Sequence, residues 1–305
     1  MSQVYNPPKK PGVVIDYVAS IGGTLTGTTV FKGDTTYLVS SAVACTGATI
    51  IEGGTVFKYK AGTSISLSSA LTCRTGMYHP AVFTGVDDDT VGDTMNGVTG
   101  SGYTGTISSA GYANPALNTT VATTFSNFRF RYAREAIKVT DLSTTTWTVS
   151  HSQFSNCVKG IEVVASGCGC GCGCGGGCGA VTSYFNLNNC LMSAVQYPVN
   201  HSSTSGGCSP TAYQYVSLYN CTIDHSTLLA TNGGYSLSSN LKATNSVFAS
   251  ISTLTNSPYL SGSSGSLAGG YNGFYSATTF GSSPVTTGSS PFQSAGAGGH
   301  YLTSA

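Results

Sequence analysis

The sequence predicts an all-β fold of the solenoid type, and two observations lead to this prediction. A short motif recurs five times, and helical periodicity is nearly absent from the 305 residues. The motif spans six residues: an apolar residue at its first position, Asn or His at the third, a small or apolar residue at the fourth and an apolar residue at the sixth. Repeats with a period of roughly 20 to 50 residues indicate a solenoid or an array of units.

The Asn or His of the motif recurs at nearly regular intervals. The successive steps along the chain are 24, 38, 31 and 25. Asn tolerates the left-handed backbone conformation, so each copy predicts a corner between two strands. Stacked coils would align these side chains as a structural ladder in which each amide pairs with the next. The five ladder positions are Asn127, His151, Asn189, Asn220 and Asn245.

The apolar residues change strand parity across each corner. In the first copy, Phe125 and Asn127 are two residues apart and would face the same side of a strand, whereas Phe128 and Phe130 would face the opposite side if the strand ran straight on. Because alternate residues of a strand face the same side, this change indicates a bend after which a new set faces inward. Further apolar positions follow each corner and predict a second strand on another wall.

The five copies resemble the coils of the pectate-lyase-like superfamily, which fold as a single-stranded right-handed parallel β-helix (solenoid) with an Asn ladder and long loop excursions. The resemblance is clear over residues 120–255 and extends back to about residue 25. It implies a fold rather than an activity, because lyases, hydrolases, adhesins and structural proteins share this scaffold. An antiparallel sandwich or barrel is the alternative, but it needs hairpin turns about every 8 to 12 residues.

The predicted organisation is one long β-helix with irregular segments. Residues 1–12 form a Pro-rich linker, and residues 13–260 form the β-helix. Within the β-helix, residues 84–116 form an irregular loop and residues 167–180 form a Gly/Cys-rich insertion. Residues 261–305 are a Ser/Gly-rich tail that is expected to pack on the last coil or to follow it.

The Gly/Cys-rich insertion accounts for the longest step of the repeat. Its length equals the excess of that step over the first one, so removing it restores the coil length. Closely spaced thiolates suit a soft metal, and disulfides are a second interpretation. The interpretation we favour is a low-complexity expansion tolerated at a loop tip. The cysteines of the run are Cys168, Cys170, Cys172, Cys174 and Cys178.

Four other cysteines invite a structural interpretation. Cys190 and Cys221 occupy the same motif position, and stacking would bring them within about 4.8 Å of each other, which is close enough for a disulfide. Reduced thiols that pack as small apolar groups are the favoured interpretation. Cys45 and Cys73 are candidates for a bridge between neighbouring early coils.

The composition argues against several classes of function. Charged residues make up 8% of the chain, against about 25% in typical domains. The net charge is +1 and no basic stripe exists, so nucleic-acid binding is not expected. No apolar run is long enough to span a membrane. The Ser-, Thr- and Asn-rich composition is typical of secreted or cell-surface proteins, although residues 1–12 lack the apolar core of a signal peptide.

One acidic cluster provides a candidate calcium site. Asp87, Asp89 and Asp93 lie in one short segment together with Asp88. Oxygen-rich clusters suit Ca²⁺, which is the one cofactor that the sequence suggests. Consecutive acids do not easily flank a sugar ring as glycoside hydrolysis requires, and the resemblance implies catalytic acids on different coils beside a Gly-His-Gly that this chain lacks. A solvated turn is the alternative.

Two arginines are weak catalytic candidates. Arg129 and Arg131 share the outward face of their strand because Phe128 and Phe130 face inward. The resemblance to pectate lyases implies an Arg base with Lys and Ca²⁺-binding Asp on adjacent coils, but no acidic pair occupies matching positions. An anion-binding site, or a surface ion pair with an acid such as Glu135, is the alternative.

These observations predict an extracellular module with a structural, adhesin or glycan-binding role and no evident catalysis. A polysaccharide or cell-surface glycan is the expected partner, and Tyr213, Tyr215 and Tyr219 would either stack on sugar rings or pack within strands. The alternative is a polysaccharide lyase or glycoside hydrolase that acts in a groove along the β-helix. Asp87, Asp89 or Asp93 within about 5 Å of Arg129 or Arg131 in one groove would favour that alternative.

Overall fold

The chain folds as a parallel β-helix with three walls, and the predicted all-β solenoid is confirmed; its described residues contain 27 strands, of which the last two form a separate hairpin. Among the strands that the structure describes, every pairing is parallel except that of one hairpin near residue 300, so the antiparallel alternative is wrong. In the described part of the chain, no helix is long and apolar enough to cross a membrane. The computed structural model describes residues 17–95, 112–141, 144–165, 182–203, 212–233, 237–256, 265–295 and 298–302.

Wall 1 is a stack of short strands that hydrogen-bond from coil to coil. Several of its strands are long enough to turn the next corner and continue on wall 2. In stacking order the strands are β1 (Tyr17–Leu25), β3 (Thr35–Cys45), β5 (Val56–Tyr59), β8 (Ala81–Gly85), β11 (Phe128–Arg131), β14 (Gln153–Ser155), β17 (Leu191–Ser193), β20 (Thr222–Asn232), β22 (Val247–Thr255), β24 (Gly273–Tyr275) and β25 (Val285–Thr286).

Wall 2 joins the second halves of β1, β3, β20 and β22 to five strands of its own. These strands are β6 (Thr63–Leu67), β9 (Ala113–Thr119), β12 (Glu135–Asp141), β15 (Lys159–Ala165) and β18 (Tyr197–Ser203).

Wall 3 consists of two ladders, one of three strands and one of six. The first contains β2 (Thr29–Phe31), β4 (Thr49–Glu52) and β7 (Leu71–Arg74). The second contains β10 (Thr124–Ser126), β13 (Thr145–Ser150), β16 (Thr182–Asn188), β19 (Ala212–Tyr219), β21 (Leu237–Thr244) and β23 (Gly265–Gly270).

The interior of the solenoid is filled by apolar side chains that stack in register. The rings of Phe57, Phe83, Phe130 and Phe154 form a column with centroid separations of 4.9, 4.7 and 5.0 Å. Adjacent rings in the column are nearly parallel, with interplanar angles of 14°, 19° and 16°. Because each inner ring packs between two others, the column links four successive coils through one continuous apolar contact.

The corner between wall 3 and wall 1 lies where the repeat places it. All five motif positions have a left-handed backbone with φ between 52° and 54°. A second left-handed corner, for which the sequence carries no motif, follows each of them five residues later and separates wall 1 from wall 2. It lies at Tyr132, Asn156, Ala194, His225 and Ser250.

The contacts at the first corner differ from the expected chain of paired amides. The backbone N–H groups carry the stacking, since the amide of Asn189 donates to Tyr219 and that of Asn220 to Thr244. Between side chains, Asn245 donates to Asn220, whereas Asn127 donates to the neighbouring Ser126 hydroxyl.

A row of buried polar side chains lies one residue after the first left-handed corner of each of several coils. Ser152 and Ser246 donate to carbonyl groups of their own coil and accept from backbone N–H groups of the preceding coil. Asn272 continues the row by accepting from the Ser246 N–H and donating to the Ala243 carbonyl. The inward-facing ladder of this protein is therefore displaced by one residue from the motif position.

Replacing Asn189 with valine is expected to destabilise the fold by about 1 to 2 kcal/mol, because a β-branched residue resists the left-handed backbone. Asn189→Gly is the matched control, since glycine adopts this conformation at little steric cost. Urea unfolding of both variants measures the difference. Equal stability of the two variants would show that the corner places no conformational demand on its residue.

The free cysteines pack within the walls. Cys45 lies on wall 2 and Cys73 on wall 3, and both are free, so the proposed bridge between them is wrong. Cys190 and Cys221 are free, buried and stacked on successive coils. Their mutual hydrogen bond, together with burial, raises the pKa of Cys190 well above its ordinary value. The Gly/Cys-rich run lies outside the described residues.

The number of residues between consecutive strands varies at the corner between wall 2 and wall 3. Leu67 and Leu71 are separated there by three residues, whereas Ala165 and Thr182 are separated by sixteen. The longest separation lies at a different corner, between Gly85 on wall 1 and Ala113 on wall 2. In the five motif copies, by contrast, at most two residues separate the strands that flank the first left-handed corner.

The segment after residue 260 contains more regular structure than the sequence indicates. β23, β24 and β25 extend the stack with further parallel pairings. After them, β26 (Phe292–Ala295) and β27 (Gly298–Leu302) form an antiparallel hairpin that contacts wall 1, where the His300 imidazole lies 3.1 Å from the Asp224 carboxylate.

Candidate functional site

The segment of residues 87–93, which we call the acidic loop, contacts Arg131 on the outer face of wall 1. The pair that forms joins Arg131 to Asp88, with Nη1 and Oδ2 3.0 Å apart. Asp88 is buried and also accepts hydrogen bonds from the Thr84 and Thr90 hydroxyls, each 2.6 Å long. Burial alone would raise the pKa of Asp88, but these hydrogen bonds and Arg131 outweigh it and lower the pKa.

The three proposed calcium ligands contact different partners. Asp87 accepts a hydrogen bond from the Tyr112 hydroxyl, and Asp89 lies 3.8 Å from the buried Lys58 ammonium. The ammonium group also donates to the Asp93 carbonyl. Within the described ranges, no three His, Cys, Asp or Glu side chains are grouped to hold a metal. The loop is therefore fastened to wall 1 by protein cations.

Arg129 lies apart from the acidic loop, in a groove beside the first left-handed corner. The groove has a volume of about 300 Å³, and Gln153, Leu191 and Thr222 follow Arg129 along its wall 1 side. The ladder residue His151 also lines the groove. The two arginines therefore do not form one site: Arg131 clamps a loop, whereas Arg129 borders a polar groove.

A second charged cluster, not identified from the sequence, lies on wall 2. Lys159 Nζ is 3.3 Å from Glu135 Oε1 and 3.0 Å from Glu162 Oε2, so one ammonium group bridges two carboxylates. Both glutamates are buried, with exposed fractions of 4% and 7%. Strand register explains the contact, because β12 and β15 place Glu135 beside Lys159 and Lys138 beside Glu162.

Further polar side chains of the same wall fix the Glu162 carboxylate. Its Oε1 accepts hydrogen bonds from the Asn200 amide at 3.1 Å and the Ser202 hydroxyl at 2.9 Å. Asn200 in turn accepts from the Thr231 hydroxyl on the next coil. The carboxylate therefore has partners for both oxygens before any ligand is present, which restricts its orientation.

The cluster lines a cleft of about 360 Å³, which we call the wall 2 cleft. Its lining comprises Asn114, Arg134, Glu135, Lys138, Val158, Lys159 and Glu162. Arg134 is exposed and Lys138 is half-buried. Among the described residues, neither of these two cations forms an ion pair. The cleft therefore combines a closed ion network at its base with two cations that are open to a ligand.

A fully buried histidine lies on the inner side of the same wall. His201 is adjacent to Asn200 in β18, but its ring points into the solenoid, where Nδ1 lies 2.7 Å from the Gln214 side-chain oxygen. Burial lowers the pKa of His201 to about 4, against the opposing effect of this hydrogen bond. The ring is therefore neutral near pH 7 and belongs to the interior rather than to the cleft.

The spacing of the charged residues contained a signal for the cleft. Glu135 and Lys159 are separated along the chain by the first step of the repeat, and so are Lys138 and Glu162. Opposite charges separated by one coil length become neighbours in a solenoid. A search for charge pairs at the repeat distance would have found the cluster.

Comparisons with known proteins add a weak structural likeness. No protein-family model matches the sequence, and no curated protein matches it. Among solved structures, endopolygalacturonase I from Stereum purpureum, complexed with two galacturonate, is similar over 87% of this chain and 91% of that chain. The TM-score is 0.40 and the sequence identity is 12%. At this level the likeness adds nothing to the assignment of the fold, which rests on strand register.

Proposed function

We propose that this β-helix is a non-catalytic glycan-binding module and that its wall 2 cleft holds an acidic polysaccharide. The observation that carries the proposal is the pair of cations, Arg134 and Lys138, at the rim of a cleft whose two base carboxylates share Lys159, so that the three cations and two carboxylates of the cleft sum to a formal charge of +1. Arginine pairs well with carboxylate groups because its planar guanidinium donates two parallel hydrogen bonds. A uronic acid unit would present such a carboxylate.

The ion network at the base of the cleft favours binding over catalysis. A lyase requires a base that takes a proton from the sugar, but Lys159 is engaged by two carboxylates and would have to give up both contacts to act. A hydrolase requires a carboxyl group that donates a proton, and either glutamate would lose its ion pair with Lys159 in that state. Breaking a largely buried ion pair is costly, so the network supports a positioning role.

We also propose that the module acts outside the cell, as a structural or adhesive component. The support is compositional: charged residues are few, and Ser, Thr, Asn and Gly dominate the chain. Calcium remains a proposed cofactor of the acidic loop. Its test is the effect of added Ca²⁺ and of a chelator on the midpoint of thermal unfolding.

The combined variant Arg134→Ala/Lys138→Ala is expected to weaken binding of oligogalacturonates by roughly tenfold, because it removes two solvent-screened charged contacts that each contribute about 0.5 to 1 kcal/mol. Isothermal titration calorimetry at fixed salt measures the change. The control Lys32→Ala/Lys60→Ala removes the same formal charge from outside the cleft and should bind like the unmodified protein.

Two results would contradict the proposal. Equal weakening by both double variants would mean that net charge, rather than the cleft, attracts the glycan. Release of unsaturated or reducing ends from polyuronides during incubation would favour the alternative of a lyase or hydrolase. Loss of that release in Lys159→Ala would then place catalysis at the base of the cleft.

A further inference from the structure

Wall 3 carries a row of exposed tyrosines that neither the cleft nor the interior uses. Tyr184, Tyr213, Tyr215 and Tyr219 have exposed fractions of 42%, 36%, 38% and 50%. All four lie on two adjacent strands, β16 and β19, on the outward parity of the wall. The interior-facing residues of the same strands are buried, so these tyrosines are not needed for packing the core.

Strand register places the tyrosines close together on a regular surface. Tyr184 and Tyr215 are direct neighbours across the ladder, and their rings stack with a centroid separation of 5.4 Å and an interplanar angle of 16°. Tyr213 and Tyr219 lie two and four residues from Tyr215 along the wall. The six-stranded ladder from β10 to β23 keeps its register throughout, so the tyrosines project from an even face.

The surroundings of the tyrosines are polar but nearly uncharged. Most outward residues on the same ladder are hydroxyl- or amide-bearing side chains, Ala268 being an apolar exception, and Lys242 is the one charged side chain among those described in these strands. The polar neighbours are Thr146, Thr148, Asn186, Asn188, Ser217, Asn240, Thr244 and Ser266.

We propose that wall 3 binds an uncharged, water-insoluble polysaccharide along the tyrosine row. Clustered exposed aromatics on a soluble protein mark a binding surface, and tyrosine supplies apolar contact area together with a hydroxyl group. The amide and hydroxyl side chains between the tyrosines supply partners for sugar hydroxyls. The lack of charge selects a neutral partner, because an acidic glycan or nucleic acid would require cations on this wall.

The regularity of the wall favours a polymer over a folded protein partner. The outward side chains repeat at the spacing of stacked coils, about 4.8 Å. A polysaccharide ribbon offers hydroxyl groups and apolar ring faces in repeating order, so it can contact several coils in the same way. The wall 2 cleft lies on a different wall and takes a charged ligand, so the two surfaces act independently.

Co-sedimentation with microcrystalline cellulose and with chitin tests the proposal. The unmodified chain is expected to sediment with at least one of these polymers, and Tyr184→Ala/Tyr215→Ala to reduce the bound fraction at least tenfold at equal polymer. Tyr78→Ala is the matched control, because Tyr78 is 92% exposed on a turn away from the row. Circular dichroism establishes that each variant is folded.

Three outcomes would overturn the proposal. One is failure of the unmodified protein to sediment with either polymer, and another is equal binding by the double variant. The third is a dimer in sedimentation velocity that the same tyrosine substitutions dissociate, since wall 3 would then be covered by a second copy of the chain. Arg134→Ala/Lys138→Ala should sediment like the unmodified protein, which separates this surface from the function proposed for the cleft.

Discussion

Replacing Phe130 with alanine is expected to lower the free energy of unfolding by about 3 to 5 kcal/mol, because it removes a fully buried ring and leaves a cavity. Phe130 lies within the phenylalanine column, between Phe83 at 4.7 Å and Phe154 at 5.0 Å, so its loss interrupts contact between successive coils. Urea unfolding, followed by fluorescence of the single tryptophan, Trp147, measures the effect.

The neighbouring residue provides the control for this substitution. Arg129 is adjacent in β11 but points outward, so Arg129→Ala is expected to change stability by no more than about 0.5 kcal/mol. A loss at Phe130 no larger than the loss at Arg129 would show that the column does not hold the coils together. If Phe130→Ala unfolds in two steps, the break in the column has separated the solenoid into two cooperative units.

Acidification from pH 7 to pH 4 is expected to reduce stability by about 3 kcal/mol through His201 alone. Burial holds the pKa of His201 at about 4 in the folded chain, whereas an unfolded histidine has the ordinary value of 6.5. The unfolded state therefore binds a proton first as the pH falls, and stability is lost between pH 6.5 and pH 4. Each pH unit in this window costs about 1.4 kcal/mol.

His201→Gln isolates this contribution, because the amide retains hydrogen-bonding capacity beside Gln214 but does not titrate between pH 4 and pH 7. Its unfolding free energy should depend less on pH than that of the unmodified chain, and the two profiles should converge towards pH 4. Denaturant unfolding at several pH values measures both profiles. If the curves of unfolding free energy against pH were parallel for the two proteins, His201 would have the same pKa in the folded and unfolded chain and would not be held neutral in the interior.

Much of the fold was predictable because its strongest constraints are local in sequence. The parity change around Asn127 and its four equivalents required a corner, and the first step of the repeat set the coil length. The second corner had no comparable signature. Its left-handed residues are as different as Tyr132 and Ala194, because the stacked backbone rather than the side chain imposes the conformation there.

The candidate site was less predictable because its contacts lie between coils. The acids around Asp88 are adjacent in sequence and therefore suggested one common site, yet they contact separate partners in the fold. Glu135 and Lys159 looked unrelated because a whole coil separates them along the chain, although they are direct neighbours on wall 2. Sequence proximity is therefore a poor guide to charge clustering in a solenoid, where residues one coil apart lie side by side.

In the coils that carry the five motif copies, the two left-handed corners are always five residues apart, whereas the interval between walls 2 and 3 differs from coil to coil. One residue inserted between the left-handed corners would reverse the inward and outward side chains that follow it, and selection would remove it. A loop lengthened between walls 2 and 3 has a modest entropic cost, about 0.6 kcal/mol for each doubling of its length. Descendants of this chain can therefore diversify along that interval, and new peptides are best grafted there, while the rest of the coil is inherited unchanged.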